Sequence, residues 1–168
     1  MTNPTVIPPF VLRQYIYAVL KANDPVWDES NYGGKIPVVP LGEEADLEQY
    51  SGPTVIYEWT DLRVGGTMYM RGRATMTLGI RDRNFRRLSR SLNVLREALG
   101  RFDESARDVN EYLDKKGEPW NEFGFGFIAL GFLDGGSPAV TEDGEVAGLI
   151  SFDFDYFVDY DVVTRPPV

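Results

Sequence analysis

TMYMRGRATMTLGIRDRNFRRLSRSLNVLREAL, residues 67–99, changes period halfway along, and that change decides the fold. In its first half Met68, Met70, Ala74, Met76, Leu78 and Ile80 point one way, while Arg71, Arg73, Thr75, Thr77 and Arg81 point the other. A period of two with one apolar face is a strand buried on one side only. After Asn84, a good N-cap, Leu88, Leu92, Leu95 and Leu99 recur at three- and four-residue steps up to Gly100. That spacing predicts a helix with a single apolar stripe, stopped by glycine. A one-sided strand followed by a one-sided helix predicts helices packed on one face of a sheet, an α+β fold.

Upstream, TVIYEWT at residues 54–60 reads as a partner strand, with Val64-Gly65-Gly66 as the turn between the two. Residues 1–9 carry Pro4, Pro8 and Pro9 and read as an extended arm. The segment FVLRQYIYAVLKAND then places Val11, Leu12, Tyr15, Ile16, Val19 and Leu20 on one helical face, and Asn23-Asp24-Pro25 ends it. Residues 23–52 form a long loop with a short edge strand expected at 35–39. Its Trp27, Tyr32 and Tyr50 either tuck back onto the core or anchor a partner.

Downstream, Asp103 is expected to cap a third, more polar helix, ESARDVNEYLDKK, with Ala106, Val109 and Leu113 inward. FGFIALGFL, residues 125–133, is apolar on both faces and reads as a central strand. Residues 134–145 form a hairpin tip with Asp143-Gly144 as its turn. The last strand, at 146–163, alternates Ile150, Phe152, Phe154, Tyr156, Val158, Tyr160 and Val162 against Ser151, Asp153, Asp155, Phe157, Asp159 and Asp161. Residues 164–168 are a tail. The expectation is one α+β domain over residues 1–168, a mainly antiparallel sheet of two hairpins, about four strands, against two or three helices, in the order α-β-β-α-α-β-β.

Composition narrows the function. The chain has no cysteine and no histidine. Thiolate nucleophiles, disulfides, Ser-His-Asp and Cys-His triads and His- or Cys-containing metal sites are therefore excluded. A net charge of -9 opposes general binding to nucleic-acid phosphates. No apolar run has the length of a membrane span, and the first residues lack the pattern of a signal peptide, so a soluble, cytoplasmically made protein is expected.

The charge is segregated. Residues 71–90 hold Arg71, Arg73, Arg81, Arg83, Arg86, Arg87 and Arg90 against the single acid Asp82, whereas residues 117–164 hold ten acids and no Lys or Arg. These are either solvated faces or the two halves of a contact between copies, basic patch to acidic patch, of the kind that closes rings. The arginines at the start of the second helix also suit a phosphate, which a salt-bridged interface matches as well or better.

Strand alternation puts Asp153, Asp155, Asp159 and Asp161 on one face, where a carboxylate row suits Mg²⁺ and a hydrolase built on Asp153 and Asp155. Neighbours two apart on a strand are roughly 7 Å apart, too far for two to grip one small ion unaided. Solvated stripe is the simpler reading. Gly124-Phe125-Gly126 with Gly131 lacks a correctly placed third glycine, and Gly33-Gly34-Lys35 lacks the rest of a P-loop. No catalytic residue and no cofactor is expected.

An N-terminal amphipathic helix, a long loop, a hairpin ending in RGRATMTLGIRDRN, the leucine-striped RRLSRSLNVLREAL and a C-terminal aromatic hairpin together resemble the tail terminator proteins of tailed bacteriophages, over roughly residues 10–163. The resemblance implies a non-enzymatic virion protein, assembled in the bacterial cytoplasm into a ring, typically a hexamer. Such a ring caps the tail tube and joins it to neck and head-completion proteins, and DNA passes through without specific binding. The acidic stripe, or Glu142, Asp143 and Glu145 at the hairpin tip, would then line the channel or meet the arginines of the next copy. The 23–52 loop and the 134–145 tip are elaborations on such a subunit, or mark another neck or tail component such as a head-completion, adaptor or tube protein. A monomeric binding module using the aromatic loop is a reading of a different class.

Overall fold

Helix α1 (Pro8–Asn23) opens the fold in the computed structural model, which describes residues 8–64, 69–116, 126–135, 139–140, 142 and 144–159. Pro8 and Pro9 belong to this helix and not to an arm. A first-turn N–H has no intrahelical acceptor, so proline loses nothing there, and its fixed φ suits the turn. Residues 1–7, the rest of the expected arm, lie outside the described residues, as do the Gly65-Gly66 turn and the 164–168 tail. Val11, Leu12, Ile16 and Leu20 bury the inner face of α1.

The 23–52 stretch is built, not irregular. Asp24 accepts the Val26 N–H at 3.0 Å and Asp28 the Ser30 N–H at 2.9 Å, nucleating 3-10 turns at Pro25–Trp27 and Glu29–Tyr32. A third such turn spans Glu44–Leu47. Trp27 and Tyr32 are fully buried, so both tuck inward, and Tyr50 packs half-buried against Tyr32 at 5.7 Å between rings. The Tyr32 hydroxyl donates to the Pro53 carbonyl, and burial pushes its pKa upward. The two tyrosines rest on glycines: a Cβ on Gly52 would strike the Tyr32 ring, and one on Gly33 the Tyr50 hydroxyl. The edge strand of this stretch is β1 (Val38–Pro40), shifted from the expected 35–39 and parallel to its neighbour.

Strands β2 (Thr54–Val64) and β3 (Tyr69–Asp82) pair antiparallel, followed by α2 (Phe85–Leu99) and α3 (Asp103–Lys116). Asn84 caps α2 through the Arg87 N–H at 3.1 Å, and Leu88, Leu92, Leu95 and Leu99 are buried as their spacing predicts. Asp103 is the first residue of α3 and not its cap. Phe102 before it holds a left-handed φ of 56°, and Ser105 accepts the Arg101 N–H at 2.9 Å. Ala106, Val109 and Leu113 face inward. The chain then adds β4 (Gly126–Gly135), β5 (Ala139–Val140) and β6 (Val146–Asp159).

The result, among the described residues, is a mixed sheet of six strands, ordered β1-β2-β3-β6-β4 with the short β5 also on β6, against three α-helices. The strand count exceeds the expected four because β1 and β5 are short pieces inside segments read as loop and hairpin tip. Val55, Tyr57, Ala74, Met76, Leu78, Ile80, Ile150, Phe152, Phe154 and Tyr156 fill the helix-covered face. Gly72 sits opposite Tyr156, whose ring occupies the space a Cβ would need.

β4 is an edge strand, contrary to its reading as central. Its outer backbone is nevertheless paired. Phe102 and Leu130 exchange backbone bonds at 2.7 and 3.1 Å, and Asn110 of α3 donates to the Phe127 carbonyl and accepts its N–H, both at 2.9 Å. Register shifts near Phe127/Ala129 and Phe132/Asp134 and the cover of α3 and Phe102 account for an edge strand apolar on both faces. We expect Asn110→Ala to cost about 1–3 kcal/mol, because both Phe127 groups lose their partner. Denaturant unfolding checks this, and an unchanged midpoint would contradict the role.

Candidate functional site

The face of the sheet turned away from the helices is the candidate site. Along β3 and β6 it carries cross-strand pairs in register: Arg73 with Asp155, Thr75 with Asp153, and Thr77 with Ser151. The Arg73 Nε donates to Asp155 at 2.7 Å, the Thr75 hydroxyl to Asp153 at 2.5 Å, and the hydroxyls of Thr77 and Ser151 lie 2.9 Å apart. The hydrogen bond and charge of Asp155 raise the Arg73 pKa further. Asp153 and Asp155 thus share a face as alternation predicts, each fixed by a side chain of β3. Asp159 lies in β6 opposite Tyr69, and Asp161 lies outside the described residues. Among the described residues no three carboxylates converge as a metal cage would require.

The seven arginines do not form one patch. Arg71 sits in β3 opposite Phe157, two residues before Arg73. Arg81 closes the other end of this open sheet face, and Arg83 lies 3.9 Å from Glu145. Arg87 turns inward, its guanidinium donating to both Asp82 oxygens at 2.7 and 2.6 Å, and Asp82 also accepts the Asn84 N–H at 2.9 Å. Only Arg86 and Arg90 stand exposed on the outer side of α2 with no ion pair among the described residues. At the hairpin tip Glu142 is exposed and Glu145 faces Arg83, while Asp143 lies outside the described residues.

A second feature of the open face is an apolar groove of about 410 Å³ at its β1 end. Ile56, Gly79, Ala147, Leu149 and Leu41 line it, with Glu44, Glu58 and Arg81 at the rim. Leu41 and Leu149, on opposite sides of the groove with β2 and β3 between them, remain 62% and 57% exposed, high for leucines lining one hollow. The Glu44 carboxylate accepts the Gly42 N–H at 2.9 Å, and that bond, with Arg81 nearby, holds its pKa below the usual value. Sequence reading missed this groove. Its signal was present, since Leu149 and Ile56 fall on the polar parity of their strands.

Among the described residues this face offers polar and charged groups paired across β3 and β6 beside an apolar hollow. Among the described residues no helix is long and apolar enough to cross a membrane. Comparison with models of known protein families and with curated proteins finds no match to this chain.

Proposed function

We propose that this chain is a structural subunit that assembles through unlike surfaces into a ring of a phage tail or neck, in the manner of a tail terminator. The observation that carries the reading is the sheet face that no described helix covers, with its polar pairs at one end and an apolar groove at the other. A sheet face of this kind is a surface for another molecule or the lining of a space.

In the ring, the polar end of this face lines the channel. Among the described side chains at that end, Asp153 and Asp155 outnumber Arg73, so this part of the lining carries net negative charge. Like charge keeps DNA sliding, whereas a basic lining would hold it through counterion release. The tube protein on one side and a neck protein on the other are the expected partners, with no cofactor and no catalytic step.

The test is the particle mass of the purified chain across a range of salt concentrations. We expect a discrete closed oligomer at low and physiological salt that loosens as salt rises, since charged contacts are screened. A monomer under all conditions contradicts assembly by this chain alone.

A further inference from the structure

We infer that the apolar groove on the open sheet face seats helix α2 of a second copy, with that copy's Arg86 and Arg90 against Glu44 and Glu58 and its Phe85 between Leu41 and Leu149. The inference rests on the ring reading and names the surfaces that close it.

Charge complementarity together with an exposed ring favours one occupant. In the acidic C-terminal strand, Asp153 and Asp155 are engaged within the chain by Thr75 and Arg73. Arg73, Arg83 and Arg87 likewise have acids of their own chain beside them. Among the described residues Lys35, Arg81, Arg86, Arg90, Arg107 and Lys115 are exposed outside any ion pair, and of these Arg86 and Arg90 stand one turn apart on α2 next to the exposed Phe85. The groove offers acids, Glu44 and Glu58 at its rim with Glu43, Asp46 and Glu48 on the adjoining turn. Only Arg81 at the rim opposes them. This acidic surround disfavours a nucleic-acid occupant.

Apolar surface matches as well. Phe85, at the start of α2, is 56% exposed, a large ring left without cover beside the two free arginines. Leu41, Ile56 and Leu149 offer a hollow of side-chain size. The helices lie on one side of the sheet and the groove on the other, so one copy presents α2 while the next presents its groove. That contact is heterologous and repeats from copy to copy until the ring closes.

The experiment uses two charge-reversed chains. One carries Arg86→Glu with Arg90→Glu, and the other Glu44→Arg with Glu58→Arg. All four positions are on the surface, and although Glu44→Arg gives up the Gly42 N–H bond, each chain should stay folded by thermal melting, while ring yield should fall about tenfold or more, because like charges then face each other at every contact. Mixed in equal amounts, the two should restore rings, since the acidic helix of one fits the basic groove of the other and the reverse pairing also holds. Normal rings from either folded variant alone, or no recovery in the mixture, would overturn this contact while leaving the ring reading intact. If the unmodified chain forms no ring, both fall together. Rings of the groove variant that form normally yet fail to join the tail tube would show that the groove takes a different protein, which also overturns the inference.

Discussion

Arg87→Met lowers the unfolding free energy by about 3–5 kcal/mol, far more than Arg86→Met beside it, which stays within about 0.5 kcal/mol. Asp82 is almost wholly buried at the end of β3, and the Arg87 guanidinium meets it with two charge-assisted bonds. These bonds, Asp82's charge included, raise the Arg87 pKa despite partial burial. Methionine keeps much of the side-chain length but leaves the carboxylate in a low-dielectric site with only the Asn84 N–H as partner. Breaking such a pair from one side costs more than the pair contributes as a whole, because the remaining charge keeps its desolvation penalty. Thermal melting should show a drop of roughly 10 °C for a chain of this size. A change as small as that of Arg86→Met would contradict the role. Reversing Arg87 together with Arg83 and Arg86 therefore tests folding as much as assembly, and interface tests belong at Arg86 and Arg90.

Phe154→Ala has an effect of similar size, about 3–5 kcal/mol. Phe154 is fully buried at the centre of β6, with ring centroids of Phe127, Phe152 and Tyr156 at 5.8, 6.1 and 5.9 Å. Alanine removes the ring's transfer free energy and leaves a cavity between strands held in register on both sides, where collapse is limited. Phe154→Leu keeps more of the volume and should cost less, and Phe85→Ala, at an exposed ring, should change stability little. Equal melting curves for Phe154→Ala and Phe85→Ala would show that β6 is not the centre of the core.

The elements that local pattern encodes were legible. The alternation of β3 and β6 and the leucines of α2 each place a whole apolar face, so their burial followed directly from spacing. What spacing cannot encode is pairing at a distance. FGFIALGFL is apolar on both faces, which fits a central strand as well as an edge strand closed by Phe102 and Asn110, and only the neighbours distinguish them. β1 pairs parallel through three residues, too few for a period, and the 3-10 turns around it arise from Asp24 and Asp28, whose side chains cap backbone two residues on. Those two aspartates were readable as turn formers, whereas the tyrosine–glycine contacts that hold the stretch were not.

At the site, Asp153 and Asp155 were placed correctly on one face, but their partners on β3 depend on the β3–β6 register. Asp82 and Arg87 stand five residues apart across a strand-to-helix junction, where neither period applies, so a buried ion pair looked like part of a basic run. The groove arises from four separate segments, and its clue was two apolar residues, Ile56 and Leu149, on the polar side of their strands.

The most direct test of the account is an image reconstruction of the assembled oligomer at side-chain detail. The account predicts a closed ring in which Asp153 and Asp155 point into the central channel and the groove beside Leu149 is covered by α2 of the adjacent copy. A ring whose open sheet faces point outward to solvent, or an assembly related only by two-fold contacts, would contradict it.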